Sequence, residues 1–181
     1  MALQREGAEY RLGRLIADAQ RNIGKADVAI MNNGGIRAGL PEGAVTWGDL
    51  QMVQPHQNRI LRLTVKGSVL LQALEQCVAG ASGDPSCHIS GVEVWYDPRH
   101  RVGKRVTRTR LTTGKGIDGG RTYTLAVTDF LATGGSGFAM LVGAPAQDLN
   151  LLDLDVLIRY LGVLRTPVEA PADVRFHRGG R

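Results

Sequence analysis

Apolar residues recur along the chain with two spacings, one typical of helices and one of strands. Helical spacing with a single apolar face predicts helices over residues 9–22, 66–78 and 153–164. Thr46 and the residues that follow it are typical of a helix N-cap with an acidic first turn. Short apolar or alternating runs predict strands over residues 27–32, 58–65, 89–96, 105–111 and 123–127. This alternation predicts an α/β (α+β) fold with a mixed sheet and flanking helices, rather than a repeat array or a sandwich.

Length and composition fit a single compact domain. At 181 residues, with 43% hydrophobic residues, the chain can bury a core of its own, and no low-complexity linker divides it. We place the domain at residues 9–165, after a candidate interdomain linker at 1–8 and before a C-terminal tail at 166–181. No run of about 18 apolar residues is present, so no membrane span is predicted. The N-terminus lacks the apolar stretch of a signal peptide.

Basic residues account for the net charge of +5 and concentrate in two places, residues 99–110 and the tail at 175–181. Such a stripe can bind nucleic acid. Aromatic residues make up only 5% of the chain, so stacking platforms for single strands are scarce. A solvated strand face and a frayed tail are therefore the better interpretation, and no nucleic-acid partner is expected.

The two cysteines, Cys77 and Cys87, bracket a loop rich in small and polar residues. Metal binding is not expected, because the chain has only two thiols, ten residues apart, and no pair of closely spaced histidines. A disulfide across the loop stays open at this stage. It would add roughly 2–3 kcal/mol of stability and would indicate an oxidising compartment.

The turn Asn32-Asn33-Gly34-Gly35-Ile36-Arg37 directly follows the predicted strand 27–32. Glycines let backbone N–H groups approach a ligand closely, and amide side chains offer both donors and acceptors. Arg37 adds a planar fork suited to phosphate or carboxylate. These residues indicate a small, anion-tolerant pocket at a strand end, with a polar turn and a surface arginine as the alternative.

A second glycine-rich turn follows the predicted strand 123–127. Phe130 comes first, and Gly134, Gly135 and Ser136 follow it. An aromatic ring beside a glycine loop can stack on a base, while loop N–H groups and a hydroxyl can bind sugar or phosphate oxygens. The alternative is a tight turn before a buried apolar segment, with Phe130 as a core residue.

Five ordered sequence blocks stand out along the chain: Leu-Gly-x-Leu-Ile-Ala-Asp-Ala at 12–19, Asn-x-Gly-Gly-Ile-Arg at 32–37, Val-Thr-Trp-Gly-Asp-Leu at 45–50, Val-Gln-Pro-x-x-Asn at 53–58 and Phe-Leu-Ala-x-Gly-Gly-x-Gly-Phe at 130–138. Taken together, these blocks resemble the C-terminal domain of the 5′-nucleotidase family, which includes periplasmic UDP-sugar hydrolases and ecto-5′-nucleotidases. The resemblance spans nearly the whole chain, from about residue 9 to 164.

The resemblance implies a division of labour between two domains. In this family an N-terminal metallophosphatase domain holds a divalent metal pair and the catalytic His–Asp pair, and the C-terminal domain grips the nucleotide. The four histidines of this chain are scattered, without an Asp-x-His or His-x-His pair. We therefore expect residues 9–165 to be the substrate-binding domain of a hydrolase of nucleotide catabolism. No catalytic residue, metal ligand or cofactor is expected in this chain, the chain alone is predicted to be inactive, and a periplasmic, secreted or cell-surface location is implied.

Site residues follow from the same resemblance, for a nucleotide, nucleoside or UDP-sugar ligand. Asn32 matches the asparagine that hydrogen-bonds the base, Arg37 the arginine that faces phosphate and ribose, and Phe130 one of two aromatics that sandwich the base. Arg5 lies near the position of another phosphate-facing arginine. The expected substrate-binding set is completed by Gly34, Gly35, His56, Asn58, Gly134, Gly135 and Ser136.

The chain departs from the family pattern at the proposed base and sugar contacts. His56 stands where the second stacking aromatic is usually Phe, and an imidazole covers less area. Ser136 replaces the Asp that typically binds the ribose hydroxyls, so the bidentate carboxylate is lost. Arg14 replaces an Asn. The ligand is therefore either not an ordinary nucleoside monophosphate or more weakly bound.

Three functions remain open at this stage. The first is the recognition domain of a 5′-nucleotidase-like hydrolase, the second a stand-alone nucleotide-binding module, and the third a basic nucleic-acid-binding domain using residues 99–110. An Asp-x-His and a Gly-Asn-His-Asp motif encoded upstream of Met1 would favour the first over the second. Salt-sensitive oligonucleotide binding would favour the third.

Overall fold

The computed structural model describes residues 3–4 and 8–179. None of the helices in this described part is long and apolar enough to cross a membrane. Its α-helices are α1 (Arg11–Gly24), α2 (Trp47–Val53), α3 (Gly67–Cys77), α4 (Asp129–Ala132) and α5 (Asp153–Val163). Its strands are β1 (Val28–Asn32), β2 (Arg59–Lys66), β3 (Cys87–Ser90), β4 (Val92–Tyr96), β5 (Val106–Leu111), β6 (Thr122–Thr128), β7 (Ala146–Leu152) and β8 (Phe176–Arg178). The mixed α/β class expected from the alternating pattern is confirmed.

The larger sheet has five strands in the order β3-β1-β6-β2-β7. Strands β1 and β6 are parallel, with Val28 opposite Leu125, and the other neighbours are antiparallel. All five residues of β1 are buried, as expected for a strand covered on both faces. Along β1, Ile30 points to the core on the α3 side and Met31 to the core formed with α1, α2 and α5. The sheet therefore lies between two layers.

The smaller sheet has the order β5-β4-β8 and contributes to the α3-side core. The single strand predicted over 89–96 is wrong, because Gly91 divides it into β3 and β4, which belong to different sheets. Gly91 has φ +84°, and a Cβ there would lie 2.1 Å from the Asp27 carbonyl oxygen. Only glycine fits this close approach, so the chain changes sheets at this residue.

The basic stretch divides between the turn after β4, which contains Arg99, Arg101 and Lys104, and strand β5 of the smaller sheet. Arg108 and Arg110 are exposed, as a solvated strand face requires. The Arg108 guanidinium carbon lies 3.7 Å from the centre of the Trp95 ring, and the His177 ring stacks on Trp95 at 4.5 Å. The prediction of a solvated face is wrong for Arg105, because this residue is buried. Its guanidinium donates to two backbone carbonyls just beyond the end of α3.

The C-terminal tail is bound to the domain between residues 170 and 178, so the frayed tail expected from its composition is wrong there. Strand β8 pairs in parallel with β4. Buried Arg175 donates to both carboxylate oxygens of Asp18, at 2.7 and 2.9 Å, and to the Ile89 carbonyl at 2.7 Å. Burial acts to lower the pKa of Arg175. Hydrogen bonds with Asp18 and then Asp173 outweigh this effect and raise the pKa above its ordinary value. The domain boundaries at residues 8 and 165 stay predictions.

The N-terminal end of α1 is tied to the same tail. The Glu9 carboxylate accepts from the backbone N–H groups of Arg175 and Phe176, at 3.1 and 3.3 Å. Burial is the main cause that raises the pKa of Glu9, although these hydrogen bonds and Arg14 act in the opposite direction. Arg11 donates to the Ala170 carbonyl at 2.6 Å. The two ends of the described chain therefore stabilise each other.

Replacing Arg175 tests how much this tie contributes. We expect Arg175→Met to lower the free energy of unfolding by about 3–5 kcal/mol, because it leaves the Asp18 carboxylate without its charge partner in a largely buried setting. Arg178→Met is the matched control. Its side chain is 53% exposed and pairs with half-exposed Asp84, so the loss should stay below about 1 kcal/mol. Equal denaturant midpoints for the two variants would contradict this role of Arg175.

Candidate functional site

Three segments that the sequence analysis singled out lie at one edge of the larger sheet. Because β1 and β6 are parallel, their carboxyl ends, Asn32 and Thr128, lie at the same edge. Strand β2 runs antiparallel to β6, so it begins at this edge, where Ile60 pairs with Thr128. We call this edge, with residues 32–37, 56–58 and 128–137, the loop edge. The fold therefore assembles it from segments that are far apart in sequence.

Asn32 joins the two glycine turns directly. It is the last residue of β1, is only 6% exposed, and its Nδ2 donates to the Ser136 hydroxyl at 3.4 Å. Gly35 makes this packing possible, because a Cβ there would lie 2.5 Å from the Met31 methyl and 3.2 Å from the Asn32 carboxamide oxygen. Gly34 is exposed beside it. The Asn32 carboxamide is thus held near the surface, between the two turns.

Arg37 is fixed at its backbone, and its side chain is exposed. Its N–H donates to the Val53 carbonyl at the end of α2, at 2.8 Å. The exposed guanidinium makes a long contact of 3.5 Å with the Gly34 carbonyl and no ion pair within the described residues. An exposed guanidinium at the loop edge is suited to an anionic ligand.

Asn33 has a structural role that the sequence analysis did not separate from that of Asn32. Its Nδ2 donates to the carbonyls of Ala8 and Pro85, at 3.1 and 3.4 Å, and its backbone N–H donates to Ser86 at 2.9 Å. The Asn33 side chain therefore anchors the turn to neighbouring segments. The single carboxamide of this turn that faces Ser136 is that of Asn32.

The second turn presents an aromatic ring to solvent. Phe130 is 45% exposed, so it is not a core residue. Gly135 packs against it, because a Cβ at Gly135 would lie 2.5 to 2.6 Å from the Phe130 ring and carbonyl. Gly134 and Ser136 have φ of +96° and +53°, and Gln76 donates to the Ser136 carbonyl at 3.0 Å. The turn therefore holds Phe130 and the Ser136 hydroxyl at the surface.

The segment after α2 supplies His56 and Asn58. Thr46 caps α2 in a reciprocal hydrogen bond with Asp49, as predicted. His56 is exposed, whereas Asn58 is partly buried and tied to Asp153 at both ends: Nδ2 donates to the Asp153 carboxylate at 3.2 Å, and the Asp153 N–H donates to the Asn58 carbonyl at 2.8 Å. Burial raises the pKa of Asp153, and hydrogen bonds that its carboxylate accepts from the Leu154 N–H and then from Asn58 act in the opposite direction. Asn58 thus positions the His56 loop.

Cys77 and Cys87 are both buried thiols on the α3 side of the core. Arg5 lies outside the described residues. Arg14 is only 6% exposed and donates to the Pro171 carbonyl, so it belongs to the tie between α1 and the tail.

The loop edge is exposed to solvent at Arg37, His56, Phe130 and Ser136. Cavities of about 310, 500 and 620 Å³ occur in the described structure, but their linings contain none of the predicted substrate-binding residues. Within the described residues, no group of three or more His, Cys, Asp or Glu side chains could hold a metal ion. The edge offers an aromatic face, a carboxamide, a hydroxyl and a cation. It is equipped to bind a ligand with a planar ring and an anionic group.

A family model described as 5′-nucleotidase, C-terminal domain, matches residues 1–143. The chain belongs to this family. The 5′-nucleotidase precursor from Thermus thermophilus has the same fold as this C-terminal domain, with a TM-score of 0.88 at 30% identity over 98% of this chain and 38% of that one.

Two curated relatives illustrate the range of proteins that carry such a domain. Endonuclease YhcR from Bacillus subtilis is 35% identical over 87% of this chain and 13% of its own length. Snake venom 5′-nucleotidase from Macrovipera lebetinus is 34% identical over 83% of this chain and 42% of its own length. This C-terminal domain thus spans less than half of each of these relatives.

Gly135→Ala tests the packing that holds Phe130 outward. The added methyl would overlap the Phe130 ring and carbonyl, so we expect the free energy of unfolding to fall by about 1–3 kcal/mol and the Phe130 ring signals in NMR spectra to shift. Gly80→Ala is the control, since a Cβ there meets nothing within 4 Å. Unchanged stability and ring signals in Gly135→Ala would refute the contact.

Proposed function

We propose that the loop edge binds a nucleotide, nucleoside or UDP-sugar as the substrate-recognition surface of a 5′-nucleotidase-type phosphoester hydrolase of nucleotide catabolism. The observation that carries the proposal is the contact between Asn32 and Ser136. This contact links two glycine turns whose neighbouring residues, Arg37 and Phe130, are exposed at the same edge. Membership of the family supports the same assignment.

The proposed roles follow from chemistry and exposure. Phe130 stacks on the base with the face that Gly135 leaves free, and Asn32 hydrogen-bonds the base edge from its position beside Ser136. Arg37 binds a phosphate group, for which its exposed guanidinium is suited. His56 offers a second, smaller ring on the opposite side of the base, and Gly34 and Gly134 keep the backbone accessible.

We further propose that catalysis belongs to an N-terminal metallophosphatase domain of the same protein, with its divalent metal pair. The short span of this domain relative to its relatives supports this, as does the lack of a metal-ligand group in the described residues. A periplasmic or secreted location fits relatives described as a precursor and as a snake venom enzyme. A gene that encodes no such upstream domain would instead favour the stand-alone binding module.

Phe130→Ala tests the base site in the protein as it exists. Stacking on an aromatic side chain contributes about 1–3 kcal/mol per base, so we expect the Kd for a bound nucleoside or nucleotide to rise about 5- to 150-fold. Isothermal titration calorimetry with nucleosides, nucleoside monophosphates and UDP-sugars measures this Kd in both proteins. Val163→Ala, an exposed apolar position on α5, is the control. Binding that is unchanged in Phe130→Ala would remove the proposed base site.

Ser136→Asp tests the sugar contact by restoring the carboxylate usual in the family. Aspartate tolerates the left-handed backbone of residue 136, and Asn32 can donate to it as it does to the serine. Hydrogen bonds to a charged group contribute about 1.5–3 kcal/mol, so a ribonucleoside should bind about tenfold more tightly or better. Ser136→Asn is the uncharged control. An equal gain for a 2′,3′-dideoxynucleoside would exclude a ribose contact.

A further inference from the structure

The two cysteines of the chain lie side by side in the core beneath the loop edge. Cys77 is the last residue of α3 and Cys87 the first of β3, and their exposed fractions are 0% and 1%. The loop between them folds back so closely that the Ser86 N–H donates to the Cys77 carbonyl at 2.7 Å. The Ser86 hydroxyl donates to the same carbonyl at 3.1 Å and lies 3.7 Å from the Cys87 sulfur.

The thiols interact with one another as well as with the surrounding core. Burial is the largest cause that raises the pKa of Cys77 well above its ordinary value, and the neighbouring Cys87 side chain raises it further. Both residues belong to one apolar cluster that includes Leu74 and Ile30. The pair is thus a dithiol in a dry environment, with no other cysteine in the chain to compete for either partner.

The loop between these cysteines contacts the first glycine turn. Pro85 and Ser86 supply the carbonyls that accept from the side chain and the backbone of Asn33. Cys87 pairs with Asn32 across β1 and β3. A restraint between Cys77 and Cys87 would therefore act on the base of the turn at residues 32–37.

We propose that Cys77 and Cys87 form a disulfide that fastens the loop 78–86 to the core and thereby holds the Asn32–Arg37 turn in place. This proposal does not depend on the identity of the ligand. The exported location suggested by the relatives is compatible with an oxidising compartment, in which such bonds persist.

The chemistry is a thiol–disulfide exchange with a small-molecule or protein disulfide. One thiolate attacks the donor disulfide and releases a thiol, and the second thiolate then displaces the other half of the donor. In total the two cysteines lose two protons and two electrons, and the donor disulfide is reduced to two thiols. Because both sulfurs are buried once the core has formed, oxidation occurs during folding or transient opening, and the finished bond is slow to exchange.

The experiment compares the chain refolded with oxidised glutathione and the chain kept in reductant. Alkylation in denaturant followed by mass spectrometry should find no labelled cysteine and a loss of about 2 Da in the first sample, and two labelled cysteines in the second. Closing a loop of this length should raise the Tm by about 5–10 °C. Hydrogen exchange of the Asn33 and Ser86 amides should slow at least tenfold, while the Arg121 amide, in a turn at the opposite edge, changes little.

The double variant Cys77→Ala/Cys87→Ala should lose every difference between oxidised and reduced samples. If it does not fold, the comparison of the two redox forms of the unmodified chain still decides. Two labelled cysteines after oxidative refolding to the native state would overturn the proposal, as would disulfide-linked dimers alone. A disulfide that forms without slowing exchange at Asn33 would overturn its role in holding the turn.

Discussion

The parallel pairing of β1 with β6 is the constraint on which the loop edge depends. Parallel strands bring their carboxyl ends to one edge, so Asn32 and Thr128 become neighbours although nearly one hundred residues separate them. Strand β1 lies inside the sheet, between β3 and β6, and both of its faces are covered. Helices α1 and α5 cover one face and α3 the other, which explains why every residue of β1 is buried. The polar residues that follow each strand are then the first that reach solvent.

Glycines set the geometry at which the two turns meet. At Gly35 and Gly135 a methyl group would overlap Met31 and Phe130, respectively, so each glycine lets a turn lie close to the side chain beside it. Ser136 is the exception, since it holds a left-handed backbone with an ordinary side chain. Strain of this kind is tolerated where the surroundings fix it, and here Asn32 and Gln76 hydrogen-bond the residue. The second turn is therefore held from two directions.

Sequence patterns predicted the elements that have clear periodicity and missed those fixed by tertiary contacts. Helix α3 and strand β2 fall within one residue of their predicted bounds, because each has one apolar face. Strand β7 escaped prediction because it is a half-exposed edge strand without a clear alternation of buried residues. Strand β8 has three residues and depends on the ion pair of Arg175 with Asp18, which no local pattern reveals. The break at Gly91 was invisible for the same reason, since its cause is the Asp27 carbonyl.

For the candidate site, the chemistry of the residues was more predictable than their division of roles. The motif turns contain Asn32, Arg37 and Phe130, and exposure or position makes each of these available to a ligand. The first turn also contains Asn33, and the segment after α2 contains Asn58; the amides of both face protein partners, supplied by the loop before β3 and by α5. An asparagine in a glycine turn has the same local pattern in both cases. Its role is decided by distant segments that the local sequence does not contain.

The openness of the loop edge bears on how a nucleotide would be held, if it binds as proposed. Arg37 and Phe130 are exposed, so a ligand touching them would keep water on its other side, where the high dielectric constant weakens each ionic contact. A surface that covers the ligand would exclude this water and strengthen the same contacts without changing a residue of this domain. The loss of the usual carboxylate at Ser136 makes such closure more important, since fewer charged contacts remain on this side. Under the proposed function, recognition by this domain and catalysis by another would be parts of one site that is completed when the two surfaces meet.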